Sequence, residues 1–327
     1  MKRVLLTGAT GFVGANLARR LVRDGHSVHL LVRPQHASWR IEGLRDALSL
    51  EIADLTDAQA VASAVRRIRP EWIFHLAAHG AYSQQTDPAR IVHTNTLGTI
   101  HLLDACLETG FEAFVHAGSS SEYGARNHPP SESERLEPNS TYAVAKAAAT
   151  HYCRHIARHR GVHAVTLRLY SVYGPYEEPT RLLPTLAVHA LEGCLPPLVN
   201  PDIARDFVWV DDVVDAFLAA ASEAGSEPGA IFNVGTGRQT TLRDAVEIVR
   251  RTLGLSAEPQ WGSMPDRRWD TDVWVADARR IEQKLGWKAR VDFEAGFLKL
   301  VDWLRRHPGM LQHYRAGVRT PSRANRP

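Results

Sequence analysis

Val4-Leu5-Leu6-Thr7-Gly8-Ala9-Thr10-Gly11-Phe12-Val13-Gly14 sets three glycines in the spacing GxxGxxG between a short apolar run and the start of a helical pattern. Such a strand, turn and helix let the backbone approach a pyrophosphate, whose charge then rests on the free N–H groups at the helix start. Gly8, Thr10, Gly11, Phe12, Val13 and Gly14 are therefore candidate dinucleotide contacts, against the plainer reading of a purely structural glycine turn.

Outward from this turn, Val28–Val32, Leu48–Ile52, Trp72–Ala77, Ala113–Ala117 and Ala164–Leu169 read as further strands. Helical periodicity fills Gly14–Asp24, Thr56–Ile68, Pro88–Thr109 and Ser140–Arg160 between them, with Gly25, Gly110 and Gly161 as stops. This alternation predicts an α/β fold, a Rossmann-like doubly wound parallel sheet over residues 1–169. Beyond Tyr170, prolines punctuate shorter elements, which predicts a smaller C-terminal α/β substrate lobe over 170–311, interleaved with the first domain. Its expected elements are helices Pro184–Glu192, Val213–Ala221, Leu242–Leu253, Ala278–Leu285 and Phe293–Arg305 and strands Phe207–Val210 and Ile231–Val234.

The chain has 327 residues, 39 Lys+Arg against 36 Asp+Glu, and 44% hydrophobic residues, the balance of a globular enzyme with an ample core. Arg315, Arg319, Arg323 and Arg326 account for the basic excess. Without an aromatic or amphipathic face they predict a solvated, disordered tail over 312–327 rather than a nucleic-acid or membrane contact. Three widely spaced cysteines, Cys106, Cys153 and Cys194, point to neither disulfides nor zinc, and with no apolar run long enough to span a bilayer they suggest a cytoplasmic protein. His151, His155 and His159 recur every four residues, but half a helical turn away from Tyr142, so a solvated or subunit-contact face is expected rather than a metal. Trp269, Trp274 and Trp287 are equally well explained by packing as by stacking on a ligand.

At the end of the second strand an acid would bind a ribose 2′-OH and repel a 2′-phosphate. Val32-Arg33-Pro34 offers none, and Arg33, with Ser38 and Arg40 as possible helpers, predicts NADP(H) in preference to NAD(H); the plainer alternative is an exposed loop arginine. Asp54 and Leu55 are placed to meet the adenine edge, and Leu76, Ala77 and Ala78 the nicotinamide ribose, though each could be ordinary sheet packing. Tyr142 and Lys146, four residues apart, share one helix face. There the ammonium is expected to lower the phenol pKa for proton transfer, while Ser119 at the end of the fifth strand holds the substrate oxygen.

With these residues in place the sequence, from Met1 to about His307, resembles the extended short-chain dehydrogenase/reductases that modify nucleotide-activated sugars. Further matching stretches are His75–Ala78, Asn95–Thr99, Arg168–Pro175, Arg205–Asp212, Phe232–Gly237 and Leu285–Trp287. The resemblance implies catalysis by Ser119, Tyr142 and Lys146, a structural or proton-relay Asn95 at the cofactor, and Tyr170 and Val172 beside the nicotinamide. It also implies substrate contacts from Tyr82, Ser120, Ser121, Ser171 and Leu183, and a diphosphate grip by Arg205 and Arg267. Relatives commonly form homodimers through a four-helix bundle around Asn95 and Tyr142.

Two departures bear on the reaction. Ser171 replaces a common asparagine, and Ser120 and Ser121 stand where 4,6-dehydratases place an acidic pair. Glu122, one residue further, is expected to point elsewhere by strand alternation. His79–Ser83 and Ser119–Gly124 look like CDP-abequose and CDP-paratose synthase-type reductases. The resulting expectation is an NADP(H)-dependent oxidoreductase acting at C4, foremost an NDP-4-keto-6-deoxyhexose 4-ketoreductase. The alternatives, in order, are a 4-epimerase holding NAD(P) tightly, a dehydratase, and a non-catalytic cofactor-binding relative.

Overall fold

The computed structural model describes residues 1–82, 84–223, 227–263 and 272–319. Its first part runs β1 (Arg3–Thr7), α1 (Phe12–Arg23), β2 (Ser27–Val32), β3 (Leu48–Ile52), α2 (Ala58–Ile68) and β4 (Trp72–His75). Then follow α3 (Pro88–Val92), a π-turn over His93–Leu97, α4 (Gly98–Thr109), β5 (Ala113–Ser119), α5 (Thr141–Arg160) and β6 (Ala164–Leu169). The second part comprises β7 (Ser171–Tyr173), α6 (Leu182–Leu191), β8 (Ala204–Arg205), β9 (Phe207–Trp209), α7 (Val210–Ser222), β10 (Ile231–Val234), β11 (Thr240–Thr241), α8 (Leu242–Leu253), α9 (Arg279–Leu285), α10 (Phe293–Arg306) and α11 (Pro308–Arg319).

Seven strands form a wholly parallel sheet in the order β10-β6-β5-β4-β1-β2-β3. The twofold period of a strand decides which side chains enter which helical layer. On one face Val4, Leu6, Phe74, Val115 and Leu167 pack with α1 and α7. On the other, Leu5, Ile73 and Phe114 pack with α2, α4 and α5. A third core joins β7 and β9 to α6, α8, α10 and α11.

Two glycines of the opening turn are required by contact. Gly8 has φ +75°, and a Cβ there would stand 2.5 Å from the backbone of Leu76 and Ala77; at Gly14 it would run into the Gly8 carbonyl. Strand β4 stops at His75, two residues before the expected Ala77.

Three further expectations are corrected. The helix expected over Pro88–Thr109 is interrupted by the π-turn, which buries Asn95. The strand Ile231–Val234, assigned to the lobe, closes the main sheet beside β6. The tail expected to be disordered from residue 312 is helical to 319, with Tyr314 fully buried and its hydroxyl donating to the Glu177 carbonyl at 2.8 Å. An apolar spacing of Met310, Leu311, Tyr314 and Val318 provides the packing face, which a count of arginines overlooks. No helix among the described residues is long and apolar enough to cross a membrane.

Candidate active site

The glycine turn leaves α1 starting at Phe12 with Gly11 as its N-cap, no side-chain cap and no acid in the first turn. Its leading N–H groups are therefore available to an anion, and the turn fits a pyrophosphate. Around it, β-strand ends bring in the other expected cofactor residues. The Ala77 N–H donates to Thr7 Oγ1 at 3.2 Å, and Leu76 and Ala78 flank it. Leu55 departs from expectation: its side chain lies in the core and its carbonyl accepts from His101, leaving Asp54 as the polar group there.

The Asp54 carboxylate accepts from the Thr56 N–H (2.9 Å) and Oγ1 (2.8 Å). Burial, which would raise it, is outweighed by these bonds and by Arg33 and Arg90, so its pKa lies below the ordinary value. Arg33 is exposed and Arg90, which sequence reasoning missed, joins it beside Asp54 and His79. Arg40 is not a helper. It is buried and donates to the carbonyls of Tyr176 (2.7 Å) and Thr10 (3.3 Å) and to Glu178 (2.9 Å). The Ser38 hydroxyl accepts from Arg45 at 3.2 Å.

Strand β5 ends on Ser119, whose hydroxyl lies 2.7 Å from the Ser121 hydroxyl. Residues 120–123 then make one tight 3-10 turn, so strand alternation no longer applies and Glu122 folds back beneath Ser119. There its carboxylate accepts from the Ser119 N–H (2.8 Å), Thr150 Oγ1 (3.0 Å) and the fully buried Arg168 (2.8 Å). Arg168 also donates to Tyr123, which donates to Asn233. The expectation that Glu122 points away from the site is thus corrected: it is the anchor under Ser119, already committed to three donors.

Helix α5, N-capped by Ser140, carries Tyr142 and Lys146 toward the same end of the sheet. Lys146 is buried, which lowers its ammonium to about 8 against the pull of Glu122. Burial likewise pushes the Tyr142 phenol up to about 12, opposed first by a hydrogen bond with Ser119, with Glu122, Arg181 and Tyr82 also acting on it. Burial prevails, so the phenol lies above its ordinary value in the protein alone. Asn95 is tied to the segment after β4, because its amide donates to the His79 carbonyl (2.7 Å) and accepts the His79 N–H (2.8 Å).

Toward the lobe, Tyr82 lies half-buried with the Arg181 guanidinium 5.9 Å from its ring centre. Ser120, Tyr170 and Trp274 line a narrow cleft, where the Tyr170 hydroxyl is buried with no hydrogen-bond partner among the described residues. Arg205 sits 5.6 Å from the Trp274 ring. Ser171 is half-buried with its N–H on the Asp206 carbonyl, and Val172 packs against the main core. Leu183 is corrected to a core residue of the lobe. Arg267 and Trp269 lie outside the described residues, as does Ser83. Trp287 is buried and donates to the Asp212 carbonyl. His151, His155 and His159 are exposed along α5.

Residues 4–235 match the family described as NAD dependent epimerase/dehydratase. A UDP-glucose 4-epimerase of Mycolicibacterium smegmatis is 33% identical over 93% of this chain and 98% of its own length. A dTDP-glucose 4,6-dehydratase of Shigella flexneri is 27% identical over 97% and 96%. Among solved structures, MoeE5 in complex with UDP-glucose and NAD superimposes with TM-score 0.81 at 29% identity, over 93% of this chain and 99% of that one.

Proposed function

Because this chain belongs to the NAD dependent epimerase/dehydratase family, and is an enzyme of nucleotide sugars, we propose that it is a 4-epimerase of a UDP-linked hexose. The observation that supports this reading is the meeting of Ser119, Tyr142 and Lys146 at a strand end that presents two serines and no free acid. Elimination of water needs an acid and a base near C5 and C6. Ser120 and Ser121 supply neither, and the Glu122 carboxylate is consumed by Ser119, Thr150 and Arg168.

NAD, when bound at the glycine turn, supplies a reversible hydride acceptor. Ser119 orients the C4 oxygen, and Tyr142, as the phenolate that the Lys146 cation favours, takes the C4 hydroxyl proton and later restores it. Lys146 places a cation in a buried site, where charge acts strongly. Arg205 holds the diphosphate, and the half-buried surface of Tyr82 and Ser121 faces the sugar.

The purified enzyme with UDP-glucose is expected to yield an isobaric product with no net change in cofactor absorbance. Release of water would overturn the reading. A second reading, one-way 4-keto reduction with NADPH, is favoured by Arg33 and Arg90, two exposed guanidinium groups beside Asp54 with no acid at the end of β2. Stoichiometric consumption of NADPH with a 4-keto sugar would establish it instead.

A further inference from the structure

The loop after β7 contains Tyr176, one of two described non-glycine residues with positive φ (+69°). Such a backbone is costly for a bulky residue and persists only where its surroundings over-determine it. Here the Arg19 guanidinium lies 3.7 Å from the Tyr176 ring centre and Trp303 packs at 4.9 Å. The Tyr176 carbonyl receives Arg40, and the next carbonyl receives Tyr314. All this holds one outcome in place: the side chain of Glu177 is turned inward, only 8% exposed.

Its Oε2 is shielded from solvent and has no hydrogen-bond partner among the described residues. Leaving such an atom unpaired is expensive, and one explanation is a partner that arrives with a ligand. The charged and polar groups facing it include Arg181, Arg40, Glu178, Tyr82, Tyr314 and the backbone of Gly174. Arg40 already has three acceptors. Arg181 acts on Tyr82 and Tyr142 as well, and Glu177 acts on Tyr82, so the carboxyl shares one neighbourhood with the catalytic tyrosine.

We propose that Glu177 is a specificity-determining residue, its buried carboxyl taking a hydroxyl of the bound sugar and, in its ionised form, disfavouring UDP-linked sugars that carry a carboxylate relative to neutral UDP-hexoses. The inference rests on the UDP-sugar reading given above. A hydroxyl can pair with either protonation form of the carboxyl; a uronate can be tolerated only while Glu177 keeps its proton. Burial raises that carboxyl to about 8. UDP-glucuronate affinity should therefore fall about tenfold per pH unit above that point, while UDP-glucose affinity stays nearly level.

Calorimetric titration with UDP, UDP-glucose and UDP-glucuronate at several pH values between about 6 and 10 tests this. In the unaltered enzyme the glucose-to-glucuronate affinity ratio should widen at least tenfold across the range. In Glu177→Gln, which keeps the shape and loses the charge, the ratio should stay within about twofold. Glu177→Asp, with a shorter reach, should weaken UDP-glucose about tenfold and leave UDP unchanged. The same pH course in the unaltered enzyme and Glu177→Gln, with UDP still bound, would overturn the role of Glu177 and leave the UDP-sugar reading standing. Absence of UDP binding would overturn both.

Discussion

Ser119, Tyr142 and Lys146 are legible in the sequence because their chemistry is carried by residue type and spacing. Tyr142→Phe keeps the ring and removes the proton, so kcat should fall by roughly 10²- to 10⁴-fold with UDP affinity unchanged, as steady-state kinetics and titration would show. Glu122 and Glu177 are less legible. A 3-10 turn carries Glu122 under the strand it follows, its sequence signal being the Ser119-x-x-Glu122 spacing of a capping box, and a left-handed Tyr176, which has no such pattern, turns Glu177 inward. Removing the Glu122 charge leaves Arg168 buried and unpaired, so Glu122→Gln should cost about 3–5 kcal/mol in denaturant unfolding. For Glu177 the sign is opposite to that of a salt-bridged acid. Its carboxyl is raised from 4.5 to about 8, so the folded chain holds the proton more tightly than the unfolded one. Stability from this source is complete below the ordinary carboxylate range and is lost as pH climbs through about 8. Glu177→Gln should flatten that decline, on the order of a few kcal/mol, in melting temperatures compared at pH 5 and pH 9.

Elements with a clear apolar run or period were legible. Strands β3, β6 and β10 and helix α8 lie where the sequence predicts them: β6 and β10 are nearly continuous buried runs and α8 buries one face, while β3 is an edge strand with none of its residues fully buried. Strands β7, β8 and β11 are too short to display a period, and the π-turn within the stretch from Pro88 to Thr109 leaves helical composition intact. Helix α11 was hidden by its charge. It clamps three separate pieces: Tyr314 reaches Glu177, His313 lies 4.4 Å from Trp39, and Arg315 pairs with Glu192 at 3.1 Å. Tyr314→Ala should destabilise the chain by about 3–5 kcal/mol, as for other buried aromatics. It should also raise KM for the nucleotide sugar through the loosened loop at Glu177, whereas Tyr314→Phe should cost only about 1 kcal/mol. Equal effects of the two substitutions would show that α11 does not hold that loop.

At the scale of the molecule, the parallel order was legible because alternating strands and helices permit few other arrangements. The subunit arrangement is a separate matter of surfaces. Val92, Leu97 and Val144 are large apolar residues left exposed on the neighbouring α3, π-turn and α5. They suit the homodimer expected from the resemblance, and Leu97→Asp with Val144→Asp should shift sedimentation to that of a monomer. Asp206 ties distant parts of the chain together, since its carboxylate accepts from Thr236 N–H and Oγ1, Gly237 N–H and Ala276 N–H. Strand β10 has a related consequence, and it concerns the order of manufacture. When synthesis reaches Leu169 the ribosome has delivered six of the seven parallel strands, yet the partner of β6 begins only at Ile231. At about 5–20 residues per second the outer edge of β6 stays bare for several seconds. Every newly made molecule thus passes through an interval in which β6, an inner strand of the finished sheet, stands as its edge, a feature that invites pairing with another chain.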